Sequence, residues 1–192
     1  MSQKPKIAVF ASGNGSNFEA IVRACRDGAV DAEVVLCFCD KPGAGVIERA
    51  ARLGIPVLEA NKGDFRNKDL FESFLADHLS RLGIDIICLA GYMRIVGQNL
   101  LRAFPRRIIN IHPSLLPAFK GAHAIRDAFD YGVKVYGVTV HYVDETLDGG
   151  EIIAQEAFPY EGNDIDELET MIHRVEHVLY PEAVRRVLSD IR

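Results

Sequence analysis

Hydrophobic and polar positions change period several times along this chain, and each change marks an element. Lys6–Ala11 (KIAVFA), Glu33–Cys39 and residues 56–58, 84–89 and 107–112 are short apolar runs of the kind that form buried strands. Between them the spacing predicts helices over about 17–26, over 45–53 and over Lys68–Leu82. The last of these places Leu70, Phe71, Phe74, Leu75 and Leu79 on its apolar side. Buried strands separated by helices predict a parallel sheet covered on both faces.

The pattern then shifts. Residues 135–143 (VYGVTVHYV) alternate, and 151–158 (EIIAQEAF) follow the turn LDGG at 147–150, which predicts an antiparallel hairpin. Residues 164–189 read as one long helix with Ile165, Leu168, Met171, Ile172, Val175 and Leu179 on a stripe. Pro181 is expected to end or kink that helix near Tyr180. With no repeat, low-complexity stretch or linker, residues 1–192 are expected to form a single α/β domain. The predicted architecture is a doubly wound, mostly parallel sheet with an antiparallel hairpin toward the C-terminus and a long C-terminal helix.

Composition removes several function classes. The 192 residues are 48% hydrophobic and 26% charged, ordinary for a globular chain with an ample core. The net charge is −5, and no Lys/Arg cluster suits a phosphodiester backbone, so no nucleic-acid partner is expected. No stretch approaches the roughly 18 apolar residues of a membrane span, and no basic-then-apolar signal opens the chain. Cys25, Cys37, Cys39 and Cys88 lack zinc or CxxC spacing. Cys37 and Cys39 would share one strand face as buried thiols, which fits a reducing cytoplasm.

Two segments carry candidate chemistry. Residues 12–17 (SGNGSN) lie between the first strand and first helix, where Gly13, Asn14, Gly15, Ser16 and Asn17 could present backbone amides and side-chain donors to a phosphate. A dinucleotide fingerprint would need glycine where Phe18 stands, although Asp40 at the end of the second strand could bind a ribose. No GK[ST] follows, so it is not a Walker loop. A phosphate-ester site, a dinucleotide site and a plain capped turn all remain open at this point.

The second segment is IINIHPSLLP at 108–117. Asn110 and His112 occupy alternate positions of a strand that Pro113 stops, so both should face one side near a strand end. Asp148 arrives later in LDGG. An amide donor, an imidazole and a carboxylate to orient it are what acyl-type transfer requires. Each residue also has an ordinary reading: Asn110 as a turn cap, His112 as a satisfied core histidine, Asp148 as a turn residue. Likewise Met93 and Ile95 would be core, Arg94 a solvated charge, Lys68 a surface lysine and His141 a simple strand residue. His123 has no stronger case. Residues 173–177 (HRVEH) fit an HxxEH zinc pattern, but a third ligand is lacking beyond Glu182 and Asp190, and no metal is expected.

Together SGNGSN (12–17), AGYMRIV (90–96), NIHPSLLP (110–117), GAHA (121–124) and LDGG (147–150) resemble the folate-dependent phosphoribosylglycinamide formyltransferases of purine synthesis, in order and over nearly the whole chain. The resemblance implies a Rossmann-like formyltransferase fold, with 1–100 as a phosphate-binding half and 101–192 as a catalytic and folate-binding half. It implies transfer of the formyl group of 10-formyltetrahydrofolate, a cosubstrate, to the amine of glycinamide ribonucleotide. The products would be formylglycinamide ribonucleotide and tetrahydrofolate, with no prosthetic group or metal. Asn110, His112 and Asp148 match the family's catalytic trio, and Gly15, Ser16 and Asn17 its substrate-phosphate loop, with Gly13 and Asn14 beside them. Glu176 matches a ribose contact. Met93, Arg94, Ile95 and Val96 match a folate-pocket wall that Asn110 adjoins. Lys68 matches a basic position, and Asp144, Glu145, Thr146, Leu147 and Asp148 match the loop bordering the pterin. His173, Arg174 and Val175 depart from the family's usual forms. The partners implied are small molecules only, acting on a monomer or homodimer.

Four other readings differ in what they require. The relatives that formylate initiator methionyl-tRNA carry an RNA-binding domain, and the formyltetrahydrofolate hydrolases an extra N-terminal regulatory one; neither is expected here. A nicotinamide-dependent oxidoreductase would use Asp40. A non-catalytic nucleotide-binding module would leave the Asn110, His112 and Asp148 trio without a role.

Overall fold

The computed structural model describes residues 4–191. Seven strands form one sheet in the order β3-β2-β1-β4-β5-β6-β7. They are β1 (Lys6–Ala11), β2 (Glu33–Cys39), β3 (Val57–Glu59), β4 (Ile86–Leu89), β5 (Ile108–His112), β6 (Val135–Tyr142) and β7 (Ile152–Pro159). Pairs from β3 through β5 are parallel, while β5–β6 and β6–β7 are antiparallel. The strand order reverses between β1 and β4, and the crevice beyond the carboxyl ends of such neighbours is where ligands enter doubly wound sheets.

Strand alternation divides the core into two layers. Ile7, Val9 and Ala11 of β1 and Ile109 and Ile111 of β5 pack with α1 (Ser16–Arg26), α2 (Gly45–Arg52) and α6 (Ile165–Asp190). Ala8, Phe10 and Ile108 face α3 (Lys68–Leu82) and α4 (Gln98–Ala103). The α5 helix (Ala124–Tyr131) precedes the hairpin. The side of β5 that carries Ile108 also carries Asn110 and His112, and there the loops around 113–121 and 143–150 take the place of a helix.

Several expectations change. Helix α6 does not end at Pro181 but runs on to Asp190. A proline inside a helix costs about 3 kcal/mol. Burial of Ala183, Val184, Val187 and Leu188 against the core offsets it, since each fully buried aliphatic side chain contributes roughly 1.5–3 kcal/mol. Tyr180 also pins the helix, its hydroxyl donating to the carbonyls of Leu89 (2.8 Å) and Ile109 (3.1 Å). On α3, Phe71, Leu75 and Leu79 are buried, but Leu70 and Phe74 face outward, so the apolar stripe is narrower than the sequence suggests. No helix among the described residues is long and apolar enough to cross a membrane. All four cysteines are buried and unpaired, and burial pushes the Cys25 thiol up to about 11.

Candidate active site

The loop after β1 is shaped by two close approaches. Gly15 caps α1 with φ 81°, and a Cβ there would lie 2.5 Å from Val46 Cγ2. Among the described residues no side chain caps α1, which leaves its first amides available to an acceptor from outside the helix. Within that first turn, Asn17 Nδ2 donates to Glu176 Oε2 at 2.8 Å, tying α1 to α6. Among the described residues the other amide atom, Asn17 Oδ1, is buried without a hydrogen-bond partner, as is His177 Nε2 on α6. His173 Nδ1 lies 3.0 Å from the same Glu176 oxygen. That hydrogen bond raises the His173 pKa above its ordinary value, against the opposing effect of partial burial. Among the described residues no group of three or more His, Cys, Asp or Glu is arranged to hold a metal ion.

Beside this loop, Ser12 Oγ donates to Asp40 Oδ1 at 2.6 Å and accepts from the backbone amide of Met93 at 3.0 Å. Arg94 pairs with the other Asp40 oxygen. Both oxygens of this buried carboxylate are therefore already engaged within the protein, one by a hydroxyl and one by a guanidinium. Arg94 is thus not the solvated charge of its ordinary reading. Met93 and Ile95 are 71% and 66% exposed rather than core, while Val96 is buried beneath them. Lys68 sits 3.5 Å from Glu72, whose carboxylate accepts from the Gly97 amide at 2.7 Å. The wall formed by 93–97 is thus braced by Asp40 on one side and Glu72 on the other.

Asn110, His112 and Asp148 come together on the open face of β5. His112 Nδ1 lies 3.6 Å from Asp148 Oδ2, and both side chains are largely buried. The same Asp148 oxygen accepts from the Gly121 amide at 2.8 Å. Asp148 itself holds φ 46°, and Gly149 and Gly150 follow because a Cβ on them would collide with Thr146 Oγ1 and with the Tyr142 carbonyl. Asp144 Oδ1 closes the loop by accepting from the backbone and hydroxyl of Thr146 at 2.8 and 2.6 Å. Those bonds, the side-chain one first, hold the Asp144 carboxyl below its usual range. Glu145 and Leu147 are exposed in the same loop.

The segment after His112 is held by the hairpin. Thr139 Oγ1 donates to the Ser114 carbonyl (2.7 Å) and accepts from the Leu116 amide (3.1 Å), while Gln155 Nε2 donates to the Leu116 carbonyl (3.0 Å). His112 Nε2 lies 2.8 Å from the carbonyl of Phe119, a residue at φ 52°. Because a carbonyl only accepts, Nε2 carries a proton in this arrangement.

Residues 5–184 match the model of the Formyl transferase family. The chain belongs to the formyl transferase family. It is 50% identical to the phosphoribosylglycinamide formyltransferase of Bacillus subtilis (strain 168), over 96% of this chain and 95% of that protein. It is 40% identical to a trifunctional purine biosynthetic protein, adenosine-3, of Drosophila melanogaster, over 98% of this chain but only 14% of that longer protein. Among solved structures, glycinamide ribonucleotide transformylase 1 from Geobacillus kaustophilus superposes with a TM-score of 0.94 at 51% identity, over 97% of this chain and all of that one.

Within this formyl transferase fold the site holds a residue that the sequence reading set aside. His141, the register partner of Asn110, lies 3.2 Å through Nε2 from Asn110 Nδ2 and 3.9 Å from Asp148 Oδ1. Its Nδ1 donates to the Tyr142 carbonyl at 2.8 Å. Burial lowers its pKa despite that bond and the neighbouring Asp148, so the ring is neutral at Nε2 and accepts from the Asn110 amide. The available signal was its parity: His141 alternates with Val138 and Val140, which face the opposite core layer. Thr139 and Gln155 were likewise not anticipated.

Proposed function

We propose that this chain transfers the formyl group of 10-formyltetrahydrofolate to the primary amine of glycinamide ribonucleotide, a step of purine synthesis. The convergence of Asn110, His112 and Asp148 on one open face of β5 carries the reading. The substrate phosphate would rest on the loop from Gly13 to Asn17, with Glu176 against the ribose. The folate would lie between the 93–96 wall and the 144–148 loop, where exposed Met93, Ile95 and Leu147 supply apolar surface. In this reading residues 1–100 hold the phosphate and 101–192 hold the folate and the chemistry, within one unit.

Attack of the amine on the formyl carbon forms a C–N bond and places negative charge on the former carbonyl oxygen. An amide nitrogen has two hydrogens; His141 takes one from Asn110, and the second is left for that oxygen. His112, oriented by Asp148, supplies a second donor once Nε2 leaves the Phe119 carbonyl. Phe119 is suited to yield, because its left-handed backbone is strained by roughly 1–2 kcal/mol. Collapse of the intermediate breaks the bond to the folate nitrogen, which takes up a proton as the attacking amine loses one. Small-molecule substrates in a reducing cytoplasm, no resident metal, and a monomer or homodimer complete the reading.

Folate absorbance followed with and without glycinamide ribonucleotide tests it. Loss of the formyl group that depends on the amine is expected. Amine-independent loss would mean hydrolysis, and no loss would end the proposal.

A further inference from the structure

Three consecutive carbonyls of the loop after β1 are engaged by helices. Gly13 O accepts from the Val46 amide (3.0 Å), Asn14 O from Arg49 Nε (2.7 Å) and Gly15 O from the Glu19 amide (3.0 Å). In a trans peptide the N–H points opposite to the C=O of the same unit. Turning these carbonyls toward α1 and α2 therefore turns the amides of Asn14, Gly15 and Ser16 the other way. Among the described residues none of those three amides donates to a protein acceptor.

Two of the three carbonyl bonds come from main-chain amides, but the one to Asn14 depends on a side chain. Arg49 reaches the Asn14 side-chain oxygen as well, through Nη2 (2.8 Å) and Nε (3.1 Å). Its remaining arm, Nη1, pairs with Glu19. Glu19 is a buried carboxylate that also pairs with Arg23 and, at 3.3 Å, with Arg52. One anion thus anchors three guanidinium groups beside the loop, and the surplus positive charge favours an anion there. Lysine could not reproduce this grip, because its ammonium has no planar fork to bridge a carbonyl, an amide oxygen and a carboxylate.

We infer that Arg49 is a positioning residue for phosphate recognition, acting through Asn14 to aim the loop's amides at the anion, with Glu19 fixing its guanidinium. This rests on the reading above that the loop holds the substrate phosphate. Arg49 itself need not touch the ligand.

The test compares wild type with Arg49→Ala, Arg49→Lys and Glu19→Gln. Inorganic phosphate binding is measured by titration calorimetry, and steady-state constants are taken for glycinamide ribonucleotide and for its phosphate-free analogue. Arg49→Ala should weaken phosphate and raise KM for the nucleotide by about tenfold or more, the scale of a lost charge-assisted bond. KM for the phosphate-free analogue and for the folate should stay within about twofold. Arg49→Lys and Glu19→Gln should fall between and keep the question answerable if the alanine variant does not fold. A uniform loss on both amines would indicate a merely structural role and overturn the inference, as would unchanged phosphate affinity. Phosphate binding that depends on Arg49 in a chain without formyl transfer would sink the proposed reaction and leave this inference standing.

Discussion

Asn110 Nδ2 lies 3.2 Å from His141 Nε2, its register partner across the antiparallel β5–β6 pair. The contact fixes which way the amide points, because a neutral ring nitrogen there accepts and the Asn110 NH2 must supply the hydrogen. Replacing His141 with alanine should let the amide rotate. We expect kcat to fall by about 10–100-fold with both KM values within a few fold, as for loss of an interaction made in the transition state. An unchanged kcat would remove His141 from the reaction.

The same contact has a pH consequence. Burial depresses the His141 pKa, so folding favours the neutral ring. Its contribution to stability is present above the unfolded histidine value, about 6.5, and is lost as pH falls through the lower folded value. Protonation would also set a donor against the Asn110 amide. Turnover should decline on the acid side with a midpoint below the ordinary histidine value of about 6.5, and His141→Ala should lack that limb in a pH profile of kcat.

His112→Ala and Asp148→Asn should each reduce kcat by roughly 100-fold or more, with much smaller effects on substrate binding. Calorimetric titration with folate separates the two quantities. Wild-type turnover in both variants would end the assignment of the trio.

Gly15→Ala meets two obstacles: a φ of 81° and a Cβ 2.5 Å from Val46 Cγ2. Thermal unfolding should show a loss of about 1–3 kcal/mol, the range for strain at a left-handed position together with overpacking. KM for the phosphate-bearing substrate should rise as well. Adding Val46→Ala should recover little, because the Cβ and Cα of residue 46, 2.7 and 3.0 Å from the added methyl, remain and the backbone conformation is unchanged.

On α6, His173 titrates above its ordinary value because of Glu176. A raised folded pKa contributes stability below about pH 6.5 that disappears as pH rises through the folded value. Histidine resonances followed by NMR should show the elevated midpoint, and Glu176→Gln should bring it down. A midpoint unmoved by that substitution would assign the shift elsewhere.

Legibility in the sequence followed burial. Lys6–Ala11, Glu33–Cys39 and Lys68–Leu82 begin and end where their apolar patterns do, because turn residues bound long buried runs. Helices α4 and α5 left no such trace. Leu100 is the buried residue of α4, and α5 buries only the small Ala124 and Ala128, too little apolar surface to write a period. Exposed Met93 and Ile95 misled the ordinary reading in the opposite direction: apolar side chains usually mean core, but these two stand on the surface.

The chain's own order of residues determined the alternation that sets Asn110 and His112 on one face of β5, the uncapped start of α1, and the stock of acids, amides and imidazoles available. Those are local properties, fixed by backbone period and by the conformations that glycine and proline allow. Tertiary structure alone decided that His141 meets Asn110, that Asp40 holds Arg94, and that Arg49 grips Asn14. Each of these contacts joins residues far apart in the chain. Its existence depends on strand order, register and helix packing, and those are set by how the whole core closes rather than by any neighbouring stretch of sequence.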